Sequence, residues 1–118
     1  MEEREKIIEN LNQELKRGTL VLSVLFNTTN KCYGYSLVND LNREGIEIEQ
    51  NTLYPLLRRL DKQGLLESFW DTTDNRPRKY YQISSLGVEV REKLYSSWVK
   101  TNSIIESFSK REGKNGNN

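Results

Sequence analysis

The spacing of apolar residues predicts a mostly helical chain. Apolar side chains recur every three or four positions over residues 4–26, with charged residues between them, which predicts a helix. Gly18 and Thr19 interrupt the pattern, so it fits either one long helix or two abutting helices. The same spacing predicts a short second helix that ends near Gly45 and a third helix over residues 51–63.

Alternation replaces the helical period in the middle of the chain. Residues 65–70 follow a two-residue period, which predicts a strand, and residues 78–83 predict a second strand. Turn-forming residues fill positions 71–77, so the two strands are expected to form a β-hairpin. Residues 46–48 also alternate, which is enough for a bridge or a very short strand.

A final long helix, capped by Ser84 or Ser85, completes the order of elements. Two short helices followed by a hairpin form a winged helix-turn-helix, whose second short helix is sized for the major groove of DNA. The expected fold class is mainly α (α+β), with a long C-terminal dimerisation helix. We divide the chain into a DNA-binding domain with its N-terminal helix (residues 1–83), the C-terminal helix (84–111) and a disordered tail (112–118).

Composition limits the size and the surface of the protein. The chain has 118 residues, enough for one domain, of which 35% are hydrophobic and 30% charged. This hydrophobic fraction is low for a globular monomer, so we expect elongated helices or a surface that a partner completes. The net charge is only +1, so any nucleic-acid interface must depend on a local cluster of cations.

The residue types that are absent exclude several kinds of chemistry. The chain contains no His and a single Cys, which excludes Ser-His-Asp and Cys-His catalytic sites, His-based and Cys-cluster metal sites and an internal disulfide. No Gly-rich phosphate loop or nucleophile–base pair is recognisable. We therefore expect no enzyme activity, no cofactor and no metal. The acidic N-terminus lacks the apolar core of a signal peptide, so the expected location is the cytoplasm.

A set of short motifs occurs in a fixed order along the chain. They are Tyr33-Gly34-Tyr35, Asn51-Thr52-Leu53-Tyr54-Pro55, Leu57, Leu60, Gly64-Leu65-Leu66, Trp70, Arg78-Lys79-Tyr80-Tyr81 and Ser84 with Gly87. This set resembles the PadR family of bacterial transcriptional regulators, over about residues 15–87. The resemblance implies a DNA-binding regulator that acts as a repressor. The single C-terminal helix resembles the small PadR subfamily, and Ser97-Trp98 with Ile104-Ile105-Glu106 resembles its multidrug-sensing members, in which a tryptophan from each subunit lines a pocket at the dimer centre.

The expected DNA contacts come from the recognition helix, the preceding helix and the hairpin. They are Tyr35, Gln50, Asn51, Thr52, Tyr54, Arg58, Arg76, Arg78 and Lys79. Gln and Asn can pair with adenine and Arg with guanine, whereas hairpin cations bind phosphates without reading sequence. The alternatives are that the helix cations are a solvated face and that Tyr54 belongs to the core. Tyr80 and Tyr81 point to opposite faces, so at least one should be buried.

The last helix has an apolar seam with steps of four and three residues, which is too short to form the whole interface of a dimer. The first helix carries a matching stripe, and we expect the last helix of one subunit to pack against the first and last helices of the other. The predicted interface residues are Ile8, Leu11, Leu15, Leu94, Trp98, Thr101, Ile105 and Phe108. A two-fold dimer repeats the recognition helix, so its double-stranded DNA operator should be pseudo-palindromic.

Trp98 lies in the middle of this seam. Two symmetry-related indoles with a gap between them could hold a planar hydrophobic small molecule. The expected pocket residues are Leu15, Thr19, Tyr95, Trp98, Thr101, Asn102 and Ile105. The resembling sensors often carry an acidic residue where this chain has Asn102, which weakens any preference for cations. The alternative is that Trp98 is simply dimer core.

Several functions remain open from the sequence. The leading one is a repressor that a planar effector releases from DNA. The others are a PadR-type regulator without a small-molecule pocket, a regulator responding to phenolic acids, and a winged helix used as a protein adaptor. We also expect Phe69 and Trp70 to pack the hairpin against the body, and Cys32 to be a small apolar residue beside the second helix.

Overall fold

The computed structural model of the protein describes residues 2–116. Within this range the chain forms four helices and a small antiparallel sheet, which confirms the predicted α+β class. The elements are α1 (Glu2–Phe26), β1 (Cys32–Tyr33), α2 (Gly34–Arg43), α3 (Gln50–Lys62), β2 (Leu66–Asp71), β3 (Arg78–Ile83) and α4 (Ser85–Gly116). The molecule is elongated, 67 × 37 × 21 Å.

Helix α1 is one continuous helix of 25 residues, which decides between the two predicted forms. Gly18 does not break it, and the side chains of Thr19 and Ser23 donate hydrogen bonds to carbonyls of the preceding turn. Only the last turns of α1 are buried, through Leu22, Val24 and Leu25. The first two-thirds of the helix therefore extend along the molecule with their apolar side chains exposed.

The core lies where the end of α1, α2, α3 and the sheet meet. Its fully buried side chains are mostly leucines at helical spacing: Leu25, Leu37, Leu41, Leu53, Leu57, Leu60 and Leu66. Thr28 is also fully buried, and its hydroxyl donates to the carbonyl of Val24 at 2.9 Å. Truncating one such leucine to alanine would cost about 2–5 kcal/mol, because the transfer and cavity terms add. This core fixes the angle between α2 and α3.

The connection between α2 and α3 is not the short strand that alternation suggested. Asn42 takes the place of a strand partner, because its side-chain amide donates to the carbonyls of Val38 and Ile48 and its oxygen accepts from the Ile48 N–H. Gly45 has φ +100°, and the Ile46 N–H bonds back to the carbonyl of Leu41. Residues 46–48 therefore form a tight connection.

The sheet has the order β1-β3-β2. The predicted hairpin pairs Leu66 with Ile83 at the body and Asp71 with Arg78 towards the tip. The third strand is β1, which sequence reasoning missed because two residues, Cys32 and Tyr33, are too few to show a period. This strand joins the entry of α2 directly to the hairpin.

Helix α4 begins beside the hairpin. The Ser84 hydroxyl accepts from the Gly87 N–H and donates to the carbonyl of Gly64 at 2.6 Å, which confirms a serine cap. The helix then continues to Gly116, past the predicted boundary at residue 111. Residues 112–116 are therefore helical rather than part of the predicted disordered tail, because Glu112 and Lys114 are good helix formers that offset the cost of about 1 kcal/mol for Gly113. Residues 117 and 118 lie outside the described residues.

Residues 2–116 lack two structural features. No helix in this range is both long and apolar enough to cross a membrane. The same range contains no group of three His, Cys, Asp or Glu side chains placed to hold a metal ion.

Candidate nucleic-acid interface

Helices α2 and α3 form a helix-turn-helix with a very close contact at its centre. The ring of Tyr54 lies against Gly34, where an added β-carbon would come within 2.7 Å of Tyr54 Cε1. Tyr54 is partly buried and packs against the hydrophobic core, and it also lines the cleft described below. The close contact therefore sets the position of α3 relative to the entry of α2.

Helix α3 separates an apolar face from a polar one. Its buried face is the leucine row Leu53, Leu56, Leu57 and Leu60. Gln50, Asn51 and Thr52 are exposed at its N-terminus, and Arg58 is exposed two turns later. The first-turn amides of a helix have no intrahelical acceptors and suit phosphate oxygens. The open face of α3 therefore carries groups suited both to base edges and to the DNA backbone.

The hairpin formed by β2 and β3, called the wing below, also has two different faces, because side chains alternate along each strand. On the inner face, Ser68 donates to Asp61 of α3 at 2.6 Å, and its cross-strand partner Tyr81 is buried. The predicted burial of at least one of the two adjacent tyrosines is thus confirmed for Tyr81. On the outer face, Tyr80 packs against Tyr33 and Phe69.

A cleft of about 420 Å³ lies between α3, the start of α2 and the wing. It brings together residues from three separate parts of the sequence. The lining residues are Tyr33, Gly34, Tyr35, Tyr54, Arg58, Trp70, Pro77, Arg78, Lys79 and Tyr81. Five predicted DNA contacts meet here: Tyr35, Tyr54, Arg58, Arg78 and Lys79.

The other four predicted contacts lie outside this cleft. Gln50 and Asn51 are exposed at the start of α3, and Arg76 is exposed at the tip of the wing. Thr52 lines a different and larger groove, of about 930 Å³, between the N-terminal half of α1 and the α2–α3 connection. The predicted set is therefore divided between a cleft, a helix N-terminus and a wing tip.

Aromatic rings hold the wing cations in place. The guanidinium of Arg78 lies 5.5 Å from the ring centre of Tyr33 and 5.9 Å from that of Tyr35, and it donates to the Tyr35 hydroxyl at 3.4 Å. Lys79 Nζ lies 5.7 Å from the ring centres of both Trp70 and Tyr81. Cation–π contacts contribute about 0.5–1 kcal/mol at exposed sites, so their main effect here is to orient the two charges.

A carboxylate stands next to these cations. Asp71 accepts hydrogen bonds from the hydroxyl of Thr73 at 2.7 Å, from that of Tyr33 at 2.7 Å and from the Thr73 N–H at 3.1 Å. These bonds favour the ionised form and lower the pKa of Asp71 to about 2. The same bond to Asp71 raises the pKa of Tyr33 above its ordinary value. Asp71 is therefore a fixed negative charge in a cationic region.

The prediction that Phe69 and Trp70 pack the wing against the body is wrong. Their exposed fractions are 39% and 63%, because the outer half of the wing extends beyond α3. Phe69 contacts Tyr80 with ring centres 5.4 Å apart, and Trp70 lines the cleft opposite Lys79. Trp70 is thus a residue of the cleft that sequence reasoning missed. Its position could have been inferred from the register of the hairpin, because Trp70 pairs with Lys79 and the two side chains lie on the same face of the sheet.

The residues predicted for the dimer and the effector lie on exposed faces of α1 and α4. The two helices meet near the end of α1, where Phe26 and Tyr95 pack edge to face at 5.8 Å and Arg91 lies over Phe26. Trp98 is stacked on Tyr95, with 6.2 Å between ring centres, and remains 45% exposed. Thr19, predicted for the effector pocket, lines the 930 Å³ groove of the single chain.

Cys32 is a half-buried residue of β1 that packs against the hydrophobic core. Burial, together with the negative charge of Asp40, raises the pKa of its thiol to about 11. The thiol is therefore protonated at neutral pH, which is the opposite of an activated cysteine.

A helix-turn-helix whose second helix lies open beside a cationic hairpin defines the winged-helix class of DNA-binding proteins. Residues 21–93 match the Transcriptional regulator PadR-like family. The chain therefore belongs to the PadR-like family of transcriptional regulators, as its motifs predicted.

Solved structures and curated relatives agree with this assignment. A PadR family transcriptional regulator from Eggerthella lenta superposes with a TM-score of 0.88 at 41% identity, over 92% of this chain and 96% of that one. A PadR-like transcriptional regulator from Bacillus cereus has a TM-score of 0.72 at 28% identity, over 80% and 95%. Transcriptional regulator Rv3488 from Mycobacterium tuberculosis is 34% identical over 76 residues, which are 64% of this chain and 71% of that protein.

Proposed function

We propose that the protein is a dimeric, sequence-specific DNA-binding repressor that contacts its operator through α3 and the wing. The observation that carries this proposal is the meeting of Arg58, Arg78 and Lys79 in one cleft beside the exposed N-terminus of α3. A net charge of +1 offers little general attraction to DNA, so a local cluster of this kind is what binding requires. The proposed role is non-enzymatic, and a regulator of this type acts in the cytoplasm with the chromosome.

The two parts of the interface have different tasks in this proposal. Gln50, Asn51 and Thr52 enter the major groove and contact base edges, which gives sequence preference. Arg76, Arg78 and Lys79 bind backbone phosphates, which fixes the register and makes affinity fall with salt. Tyr35, Tyr54 and Arg58 lie between these two groups and support either kind of contact.

Dimerisation is proposed through the long helices. Apolar side chains on the outer part of α1 and on the seam side of α4 are 38–75% exposed: Ile7, Ile8, Leu11, Leu15, Leu94, Tyr95, Trp98, Ile104, Ile105 and Phe108. Monomeric proteins rarely expose a contiguous apolar patch of more than a few hundred Å², so a set of this size favours a partner. The proposed partner is a second copy of this chain.

The distribution of charge favours one binding position for the α4 helix of the second copy. The 930 Å³ groove beside α1 is lined by four carboxylates, Glu5, Glu9, Glu47 and Glu49, and by two cations, Lys16 and Arg17, so acidic groups outnumber basic ones there. The far end of α4 carries Lys110 and Arg111 beyond its apolar seam. We place the end of one α4 in this groove of the other copy, next to the start of the recognition helix. Such a two-fold dimer recognises pseudo-palindromic half-sites about one helical turn, roughly 34 Å, apart.

An effector pocket at the dimer centre is proposed around Trp98. Two such indoles, each with its stacked Tyr95, would provide flat walls for a planar hydrophobic molecule, with Leu15, Thr19, Thr101, Asn102 and Ile105 around them. For the effector to release the protein from DNA, it must bind more tightly to the arrangement of the dimer that cannot bind the operator than to the one that can.

A second candidate is a regulator without a small-molecule pocket. The 6.2 Å stacking of Trp98 on Tyr95 favours it, because this tryptophan already has an aromatic neighbour within its own chain, as a core residue would. Titration with planar hydrophobic compounds and phenolic acids separates the candidates. The pocket is supported if a compound gives a binding signal and if Trp98→Ala abolishes that signal without disrupting the dimer.

The DNA interface is tested by fluorescence anisotropy with the gene's own upstream region at two salt concentrations. If the protein does not bind that region, a duplex is obtained by selection from random DNA sequences. Replacing both Arg78 and Lys79 with alanine should weaken binding strongly and lower its dependence on salt by the equivalent of about two phosphate contacts. Arg43→Ala is the control, because it removes an exposed cation of α2 that pairs with Asp40 outside the cleft. Unchanged binding in the double variant would refute the interface.

A further inference from the structure

One carboxylate connects three parts of the wing. Oδ2 of Asp71 accepts a hydrogen bond from the Tyr33 hydroxyl at 2.7 Å, which links the end of β2 to β1. Oδ1 accepts both the N–H and the hydroxyl of Thr73, which orders the first residues of the tip. Asp71, at the end of β2, is therefore hydrogen-bonded both to β1 and to the turn of the wing.

The contacts continue from Tyr33 to the cation of the wing. The ring of Tyr33 is stacked on that of Tyr35, with centres 5.8 Å apart and an interplanar angle of 14°. Arg78 lies beside both rings and donates to the Tyr35 hydroxyl. Arg78 is also the cross-strand partner of Asp71, so the contacts close into a ring of four residues.

A negative charge here opposes DNA binding in simple electrostatic terms. Asp71 remains ionised at neutral pH and lies among the cations that the proposed interface uses, so it should repel phosphate. Its oxygens, however, are engaged by the donors of Tyr33 and Thr73 rather than turned freely to solvent. The carboxylate therefore also has a structural role, since its hydrogen bonds order the part of the wing that carries the cations.

We propose that Asp71 and Tyr33 are positioning residues for DNA binding. Their hydrogen bond fixes the pair of tyrosine rings on which Arg78 lies, and this fixes the direction in which the guanidinium meets a phosphate. The inference rests on the proposed function, because it assigns Arg78 a contact with the DNA backbone. It adds two residues, one of them acidic, to the groups on which binding depends.

The opposite expectations for Asp71→Ala make the proposal testable. If the carboxylate acts only through its charge, removing it should tighten DNA binding. If it positions Arg78, removing it should weaken binding despite the lost repulsion. Tyr33→Phe removes the hydroxyl without changing the charge, so it tests the positioning alone. We expect this variant to lose about threefold to tenfold in affinity, the range of one hydrogen bond.

The decisive experiment is a double-mutant cycle on the full chain. Dissociation constants for one duplex are measured for the wild type, Tyr33→Phe, Arg78→Ala and the combined variant. If Tyr33 acts through Arg78, its loss should disappear when Arg78 is already alanine. Tyr80→Phe is the matched control, because it removes a neighbouring hydroxyl outside the ring of four residues. Unfolding curves that match the wild type exclude a general loss of structure.

The outcomes separate this inference from the proposed function. Additive losses for Tyr33→Phe and Arg78→Ala, a wild-type affinity in Tyr33→Phe, or tighter binding by Asp71→Ala would overturn the positioning role alone. An Arg78→Ala variant that binds as tightly as the wild type would overturn the DNA contact of Arg78 as well.

Discussion

Gly34, the first residue of α2, packs against the ring of Tyr54 on α3 so tightly that a β-carbon on Gly34 would lie 2.7 Å from that ring. This separation is far below an ordinary carbon contact of about 3.5–4.0 Å. Either the ring or the helix must therefore move if the glycine acquires a side chain. Because Tyr54 lies on the recognition helix, the contact links folding stability to the geometry of the interface.

Gly34→Ala should destabilise the protein by about 1–3 kcal/mol, the usual cost of overpacking. Urea unfolding measures this change. Gly18→Ala is the matched control, since nothing lies within 4 Å of a β-carbon there, and it should stabilise α1 by up to about 1 kcal/mol. Equal effects of the two substitutions would contradict the account of Gly34.

The sequence predicted the order of helices and the hairpin because these elements repeat their apolar residues over several periods. It missed β1 because Cys32 and Tyr33 are too few for a period to appear, and it assigned strand character to residues 46–48, where the side chain of Asn42 supplies the partners instead. Neither outcome follows from an apolar period, because β1 pairs with a strand almost fifty residues later and residues 46–48 are held by one polar side chain six residues before Ile48.

The candidate site was predictable by residue type but not by arrangement. Arg78 and Lys79 were chosen as cations of a wing, yet the rings that hold them, from Tyr33 to Trp70, come together only through the sheet register. Trp70 was misplaced because the alternation of the strand does not show where the body beneath it ends. The length of the wing beyond α3 is a tertiary property.

Trp70 should report DNA binding directly. It is 63% exposed in the cleft beside Lys79, so a duplex bound there must change the environment of its indole. In a Trp98→Phe background, which leaves Trp70 as the only tryptophan, we expect its emission to shift on addition of duplex DNA. In a Trp70→Phe background the emission of Trp98 should respond less. The reverse pattern would remove Trp70 from the interface.

Cys32 should be slow to react with thiol reagents. Its pKa is raised to about 11, above the ordinary value of 9.0, so the thiolate is scarce at pH 7–8. The neutral thiol contributes stability that is complete below about pH 9 and is lost as the pH rises through 11. Labelling with iodoacetamide, monitored by mass spectrometry, should therefore be much slower in the folded protein than in urea. Equal rates in the two states would contradict the burial.

Acid should weaken the wing only at very low pH. The pKa of Asp71 is lowered from 3.8 to about 2, so its contribution to stability is complete above about pH 4 and is lost as the pH falls through 2. The stability difference between the wild type and Asp71→Ala should therefore be constant from pH 7 to 4 and shrink below that. A difference that already changes near pH 5 would contradict the hydrogen bonds assigned to this carboxylate.

The proposed dimer predicts different effects for two exposed apolar positions of α4. Ile105 lies on the apolar seam and is 57% exposed in one chain, whereas Val99 is 43% exposed but lies off the seam. Ile105→Asp should therefore place a charge in the interface, which costs several kcal/mol without a partner, and convert the protein to monomers in sedimentation runs. Val99→Asp should leave the dimer intact. Because each operator half-site needs one recognition helix, the monomeric variant should also lose specific DNA binding while its wing and α3 stay folded. If both variants sediment as dimers, the long helices do not form the interface in the way proposed here.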